Sequence, residues 1–206
     1  MTFGRLGDGP WDRRLSRLLL RPFAESALSP NHLTALRLVA GLAAGGLYAL
    51  GGAAVHWAGG FFLIAALADH LDGELARMSG KSSVLGHLTD RVTDAVNWLA
   101  LFTGMGMGLR GSFLGAWALP LGAAAGLSAA LTAALRALFE RRHGRRALAQ
   151  PSWGGFEAED VMYLVAPITW LGGHAYFLAA AGVGTPLFLA WQAWQILRLE
   201  QKRRSR

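Results

Sequence analysis

Apolar residues run along this chain in long stretches, separated by short polar or basic segments. A helix that crosses a membrane needs about 20 mostly apolar residues. Four stretches have this length: 33–52, 57–76, 84–109 and 113–139. The run 161–199 is long enough for two more helices, and both Gly172-Gly173 and 182–186 have the composition of a turn between them. The pattern predicts an all-α integral membrane protein with six transmembrane helices.

The segment before the first stretch has a different pattern, with apolar positions on a single helical stripe and arginines beside it. The stripe consists of Trp11, Leu15, Leu18 and Leu19. Basic amphipathic helices of this kind lie in the membrane interface. We therefore expect a cytoplasmic juxtamembrane helix, followed by a first span that Ser29 or Asn31 caps.

Basic residues are concentrated on one side of the membrane that the predicted spans would cross. The N-terminus, the 77–83 and 139–158 connections and the C-terminus hold nearly all of them, whereas the opposite side has only Arg110. By the positive-inside rule the basic side is cytoplasmic. This predicts three regions: a cytoplasmic N-terminal segment (1–29), a six-helix membrane domain (30–200) and a basic cytoplasmic tail (201–206).

Composition supports a membrane protein and excludes several other classes. Hydrophobic residues make up 53% of the chain and charged residues 16%, with a mean hydropathy of +0.32. The absence of cysteine excludes disulfides and thiolate chemistry. The net charge of +7 does not indicate a nucleic-acid partner, because the basic residues bracket apolar stretches. A cleaved signal peptide is not expected, since residues 1–17 are polar and basic.

Four aspartates, Asp69, Asp72, Asp90 and Asp94, lie inside the second and third apolar stretches. A carboxylate at membrane depth costs roughly 2.5–3.5 kcal/mol on insertion scales, so it needs a compensating positive charge. At 100° per residue each pair shares one helical face, and a short connection makes the two helices antiparallel neighbours. Carboxylate oxygens suit Mg²⁺ or Mn²⁺. The pattern predicts a cation site, with room for two ions that bridge a diphosphate.

The same residues form a motif, D-x2-D-G-x2-A-R-x8-G-x3-D-x3-D, which begins at Asp69 and ends at Asp94. This string resembles the signature of the CDP-alcohol phosphotransferase family at every fixed position. The resemblance implies a membrane domain of six helices, usually a homodimer. It also implies transfer of a substituted phosphate group from a CDP-linked donor to an alcohol.

The resemblance assigns roles to individual residues. Asp69, Asp72, Asp90 and Asp94 correspond to the metal ligands, and Asp94 also to the general base that takes the proton of the acceptor hydroxyl. The positions that receive the cytidine and diphosphate of the donor are Gly73, Ala76, Arg77 and Gly86, together with Asn31 and Thr34 in a Pro-Asn-x-x-Thr segment.

The acceptor is less well specified than the reaction. Arg136 resembles the first of the basic residues that bind phosphorylated acceptors in relatives. The second such position is Leu138, and residues 157–160 are acidic where those relatives carry arginine. An acidic rim favours a neutral polyol or an amino alcohol, because a phosphate dianion would meet like charge there.

The sequence leaves the roles of three residues near the motif open. Arg37 lies one turn inside the first span, and either snorkels to the interface or faces the polar cavity. His70 and His87 project away from the acidic stripe, which favours structural or interfacial roles.

The leading hypothesis is a divalent-metal transferase of phospholipid biosynthesis that uses CDP-diacylglycerol or a similar CDP-alcohol and releases CMP. High alanine, glycine, leucine and arginine content suggests a prokaryotic inner membrane, with the active site and both termini on the cytoplasmic side. Two alternatives stay open. One is an intramembrane prenyltransferase, which also uses aspartate-rich helices with Mg²⁺, and the other is a divalent-cation transporter.

Overall fold

Helices form most of the protein. The computed structural model describes Leu20 and residues 29–79, 84–144, 152–153 and 156–204, without the side chains of 76–79, 84, 85, 87, 152–160 and 202–204. The helices are α1 (Pro30–Leu50), α2 (Ala54–Ser79), α3 (Val84–Gly108), α4 (Ala118–His143), α5 (Val165–Trp170) and α6 (His174–Arg204). Between them lie 3₁₀ segments at Leu109–Gly111, Gly115–Trp117 and Ala158–Leu164, and an antiparallel pair of short strands, β1 (Ser152–Trp153) and β2 (Phe156–Glu157).

The start of α1 is set by its cap. The Ser29 side chain accepts a hydrogen bond from the backbone N–H of His32, and the His32 ring accepts one from the backbone N–H of Ser29. Pro30 follows at the first helical position, where its missing N–H has no cost. Of the two caps that the sequence allowed, Ser29 is the one used.

The distribution of polar and apolar side chains is that of a membrane protein. Large apolar residues such as Val39, Trp57 and Leu171 are exposed on the outside of the helices. Charged and polar residues, among them Arg37, Asp72 and Gln192, are buried inside the bundle. This arrangement suits a lipid exterior, because polar groups in hydrocarbon must find partners within the protein.

Helices α1 and α3 approach each other closely enough that glycine is required at the contact. α1 packs against both α2 and α3, so it is the element that brings the two acidic helices together. A Cβ atom built on Gly45 would lie 2.6 Å from the carbonyl oxygen of Ala100, which is closer than real Cβ contacts. Small residues at such crossings are typical of helix packing in membranes.

We expect Gly45→Ala to destabilise the protein, because the backbone of α3 must shift away to admit the methyl group. The expected loss is about 1–3 kcal/mol, the usual cost of overpacking. Thermal unfolding in detergent would measure it. Gly46→Ala is the matched control, since a Cβ on Gly46 meets nothing within 4 Å. Equal melting temperatures for the two variants would contradict the close crossing.

The boundary within the last apolar run lies at the first of the two predicted turns. α5 ends at Trp170, and Gly172 has a φ of 76°, which favours glycine. The other candidate, residues 182–186, is wrong as a turn because Pro186 lies inside α6. The fourth helix continues to His143, beyond the apolar stretch 113–139.

The structure supports the prediction of an all-α membrane protein but does not confirm the count of six spans. Four helical segments of the described chain are long and apolar enough to cross a membrane: Pro30–Leu50, Ala54–Leu75, Gly115–His143 and His174–Gln201. α3 is long enough but carries Asp90, Arg91 and Asp94, and α5 has only 6 residues. The predicted N-terminal amphipathic helix lies outside the described residues, except for Leu20, which is helical and packs with Leu33 and Leu75.

Candidate active site

The four aspartates lie where α1, α2 and α3 meet. One carboxylate oxygen each from Asp69, Asp72 and Asp90 lies within 4.8 Å of the other two, close enough to hold a common cation. Asp69 and Asp72 are one turn apart on α2, whereas Asp90 comes from α3. The cluster therefore depends on the packing of two helices, and it combines the buried Asp72 with the more exposed Asp69 and Asp90.

Asp94 lies beside this cluster without belonging to it. It is one turn further along α3 than Asp90, and its Oδ1 lies 3.4 Å from Nη1 of Arg37. Among the described residues, the set whose oxygens all converge consists of the other three aspartates. Asp94 also lines a large internal cavity. Its position allows it to contact a molecule in that cavity as well as the charges of the cluster.

Arg37 is the cation that the four aspartates share. Its guanidinium is only 2% exposed and forms a short hydrogen-bonded ion pair with Asp69. Nη2 donates to Oδ1 of Asp90 at 2.7 Å and to the Asp90 backbone carbonyl at 2.8 Å. Nη1 lies 3.8 Å from Oδ2 of Asp72. Of the two orientations that the sequence left open for Arg37, the structure adopts the inward one, toward the aspartates.

One guanidinium does not balance four carboxylates. If these five groups are ionised, four negative charges less one positive charge give them a sum of −3. Concentrated negative charge away from bulk water raises the free energy of the folded protein unless cations neutralise it. The donor set consists of carboxylate oxygens only, so it fits Mg²⁺ or Mn²⁺ better than zinc or copper.

Two further hydrogen bonds hold the cluster in register. Thr34 donates to Oδ2 of Asp72 at 2.9 Å. Asn97, buried on α3, donates from Nδ2 to the backbone carbonyl of Arg37 at 3.1 Å. Each bond joins α1 to one of the acidic helices, so α1 orients both halves of the site.

The residues expected to contact the nucleotide have different positions in the structure. Thr34 is partly buried and bonded to Asp72, and Asn31 is exposed on the preceding turn of α1. Gly73 and Gly86 are partly exposed on α2 and α3. The side chains of Ala76 and Arg77 lie outside the described part of the chain, as does the connection 80–83. The structure thus brings Thr34 into contact with the cluster and leaves the nucleotide-binding roles of Asn31, Gly73, Gly86 and Arg77 as predictions.

His70 contacts both the segment that leads into α5 and the aspartate cluster, where its Nδ1 lies 3.9 Å from Oδ2 of Asp69. Its Nδ1 lies 2.7 Å from the hydroxyl of Tyr163, in the 3₁₀ segment Ala158–Leu164, and 3.2 Å from the carbonyl of Ala66. This contact ties α2 to the segment that leads into α5. The His87 side chain is not among those described.

A cavity of about 480 Å³ begins at the aspartates and continues away from α1. Asp69 and Asp94 line one wall, and most of the remainder is apolar side chain from α3, α4, α5 and α6. Arg136 lines it too, and its Nε donates to Oε1 of Glu140 at 2.8 Å, one turn along α4. No sequence pattern indicated this cavity, because it is formed by helices that are distant in the chain.

Comparison with known proteins adds one match. The model of the family described as CDP-alcohol phosphatidyltransferase matches residues 27–194, which is most of the chain. No curated protein matches it significantly. The matched range contains α1 to α5 and most of α6, and with them every residue of the aspartate cluster.

Proposed function

We propose that this chain, which belongs to the CDP-alcohol phosphatidyltransferase family, transfers a substituted phosphate group from a CDP-linked donor to an acceptor alcohol and releases CMP. The donor is CDP-diacylglycerol or a similar CDP-alcohol, and the product enters phospholipid synthesis. The observation that carries the proposal is the convergence of Asp69, Asp72 and Asp90 within 4.8 Å. These residues occupy the acidic positions of the family motif.

Divalent metal is part of the proposal. Asp69, Asp72 and Asp90 would hold it, with Asp94 completing the site, and two ions of Mg²⁺ or Mn²⁺ are expected from the family resemblance. Bound metal would neutralise charge on the diphosphate and orient it for in-line displacement. The fit rests on the all-oxygen donor set and on the excess negative charge around Arg37.

The chain's own residues account for the other requirements of the reaction. The acceptor oxygen forms a bond to the β-phosphorus of the donor, and the bond from that phosphorus to the oxygen shared with CMP breaks. Asp94 accepts the hydroxyl proton as the general base and later returns it to solvent. Asn31, Thr34, Gly73 and Gly86 line the side on which the nucleotide binds. Arg77 contacts phosphate oxygens from the cytoplasmic end of α2.

The proposed membrane arrangement follows the distribution of charge. α1, α2, α4 and α6 cross the membrane, α3 crosses with its acidic face turned inward, and α5 with its 3₁₀ segment completes the six. The rise of that segment (Ala158–Leu164) is ~14 Å and that of α5 ~9 Å. Their sum covers most of the ~30 Å hydrocarbon core. The termini and the active site face the cytoplasm of a prokaryotic cell, and the family resemblance implies a homodimer.

The test is CMP release by purified protein with CDP-diacylglycerol and an acceptor panel, in Mg²⁺ and in EDTA. We expect release that depends on both acceptor and metal and that Asp72→Asn abolishes. Glu200→Gln, near the C-terminal end of α6, is the matched control and should keep full activity. Pyrophosphate release from a prenyl diphosphate without CMP would instead identify a prenyltransferase. Metal flux into liposomes without CMP would identify a transporter.

A further inference from the structure

The chain that leads into α5 forms part of the cavity wall beside the aspartates. Residues 161–165, called the wall segment below, comprise the end of the 3₁₀ segment and the first residue of α5. The side chains that this segment contributes to the lining are those of Val161, Met162 and Val165. Asp69 and Asp94 line the same cavity. The position of the wall segment therefore determines the shape of the cavity next to these two aspartates.

Tyr163, in the middle of the wall segment, directs its hydroxyl toward α2. The hydroxyl oxygen lies 2.7 Å from Nδ1 of His70, and the two rings pack with their centroids 5.3 Å apart. Nδ1 of His70 also lies 3.2 Å from the carbonyl oxygen of Ala66, one turn earlier on α2. His70 directly follows Asp69, whose Oδ2 is 3.9 Å from the same nitrogen. The contact therefore joins the wall segment to the turn of α2 that carries a predicted metal ligand.

The other end of α5 is held by separate hydrogen bonds. Nε1 of Trp170 donates to the backbone carbonyl of His56 at 3.0 Å. The hydroxyl of Thr169 lies 2.6 Å from that of Tyr48, which ties the same end of α5 to α1. Loss of the Tyr163 contact would therefore release the end of this element that is nearest to the aspartates, while the opposite end keeps its partners.

We propose that Tyr163 and His70 are positioning residues of the transferase, and this inference rests on the proposed function. Their hydrogen bond holds the wall segment at the distance from Asp69 and Asp94 that aligns the two substrates. Residue 70 is one of the positions that the acidic motif leaves unspecified, so the pair is not part of the family signature. Alignment matters because the reacting atoms must come within about 3–3.5 Å, and a misplacement of ~1 Å lowers the rate ~100-fold.

Tyr163→Phe tests the proposal because it removes the hydroxyl and keeps the ring. CMP release is measured with CDP-diacylglycerol, Mg²⁺ and a panel of glycerol, glycerol phosphate, inositol, inositol phosphate and serine. We expect kcat to fall about tenfold, whereas the KM for the donor and the rise of the melting temperature with Mg²⁺ stay unchanged. Tyr176→Phe is the matched control, since it is the same chemical change at a tyrosine of α6 that is 71% exposed.

Variants of His70 show whether the two residues act through one bond. Asparagine has an amide atom close to the position of Nδ1 and can keep a hydrogen bond to Tyr163, whereas leucine cannot. We expect His70→Leu to lower kcat about tenfold and His70→Asn to restore most of that loss. The double variant His70→Leu/Tyr163→Phe should be no slower than His70→Leu alone, because both changes remove the same interaction.

A thiol introduced by Met162→Cys reports on the wall segment independently of activity. The chain has no cysteine of its own, and Met162 is a partly buried residue of the cavity lining. We expect Tyr163→Phe to raise the rate at which a maleimide labels this thiol about fivefold, because the wall segment then opens more often. Tyr176→Phe should leave the labelling rate unchanged.

The possible failures have different signatures. A Tyr163→Phe protein with wild-type kcat, or with an unchanged labelling rate, overturns the positioning role and leaves the proposed function intact. So does a Tyr163→Phe protein that loses its response to Mg²⁺, because the pair would then act on the metal ligand Asp69 and not on the wall segment. A wild-type protein that releases no CMP with any pair of substrates overturns the proposed function and the positioning role together, whatever the labelling rate.

Discussion

Replacing Arg37 by glutamine is expected to lower the melting temperature of the metal-free protein by about 10 °C. The guanidinium contacts all four aspartates and is 2% exposed, so its removal leaves the buried Asp72 and three partly exposed carboxylates without their shared cation. Breaking a buried ion pair by removing one partner costs about 3–5 kcal/mol. For a chain of this size each kcal/mol corresponds to roughly 2–4 °C. Few other single substitutions in the described structure leave as much charge unbalanced.

The same variant should respond more strongly to metal than the wild type. Arg37 and divalent cations neutralise the same carboxylates, so metal has more charge to compensate once the guanidinium is gone. We therefore expect Mg²⁺ to raise the melting temperature of Arg37→Gln by several degrees more than it raises that of the wild type. Arg37→Lys should fall between the two, because one ammonium cannot bridge Asp69 and Asp90 as the planar guanidinium does.

Differential scanning fluorimetry in EDTA and in Mg²⁺ measures both effects. Arg136→Gln is the matched control, since Arg136 pairs with Glu140 on its own helix and neither group is deeply buried. Pairs of that kind contribute about 0.3–0.5 kcal/mol. If Arg37→Gln and Arg136→Gln melted at the same temperature in EDTA, the shared-cation role of Arg37 would be wrong.

Replacing Asp94 by asparagine is expected to lower kcat by about 10²–10⁴-fold, the usual contribution of a general base. Asparagine keeps the size of the side chain but has no basic oxygen for the acceptor proton. The stabilisation by Mg²⁺ should be largely retained, because Asp69, Asp72 and Asp90 converge without Asp94. The wild-type and variant proteins should also bind CDP with similar affinity.

These measurements together show whether Asp94 acts as the general base or as a metal ligand. kcat is obtained from CMP release at saturating substrates, and metal binding from the melting temperature as a function of Mg²⁺ concentration. Asp72→Asn is the comparison, and we expect it to lose both turnover and the response to Mg²⁺. An Asp94→Asn protein that loses the response to Mg²⁺ to the same degree would show that Asp94 acts mainly as a metal ligand.

Local periodicity explains which parts of the site could be read from the sequence. Asp69 and Asp72 share a face because they are one helical turn apart, and Asp90 and Asp94 do so for the same reason. The cap at Ser29 is likewise local, because it depends on residues within one turn. The turn at Gly172 was one of two candidates. The other candidate was rejected by the structure because α6 continues through Pro186.

The orientation of Arg37 and the cavity beside Asp94 could not be predicted from the sequence. A basic residue one turn inside a span has the same sequence signature whether it snorkels or faces inward, and the choice depends on what α2 and α3 place beside it. The cavity depends on the packing of α3 to α6, because the residues that line it are far apart in the chain.

By itself the sequence determined the helical membrane class and the acidic motif, because helical periodicity and hydropathy act over short distances along the chain. The reaction is what the resemblance of that motif to a known family implies. Tertiary structure alone decided that three aspartates converge, that Arg37 contacts all four and that a cavity leads from Asp94. These features depend on contacts between helices, such as Thr34 with Asp72 and Arg37 with Asp90. The energy of such contacts comes from groups that are distant in sequence and adjacent only after folding.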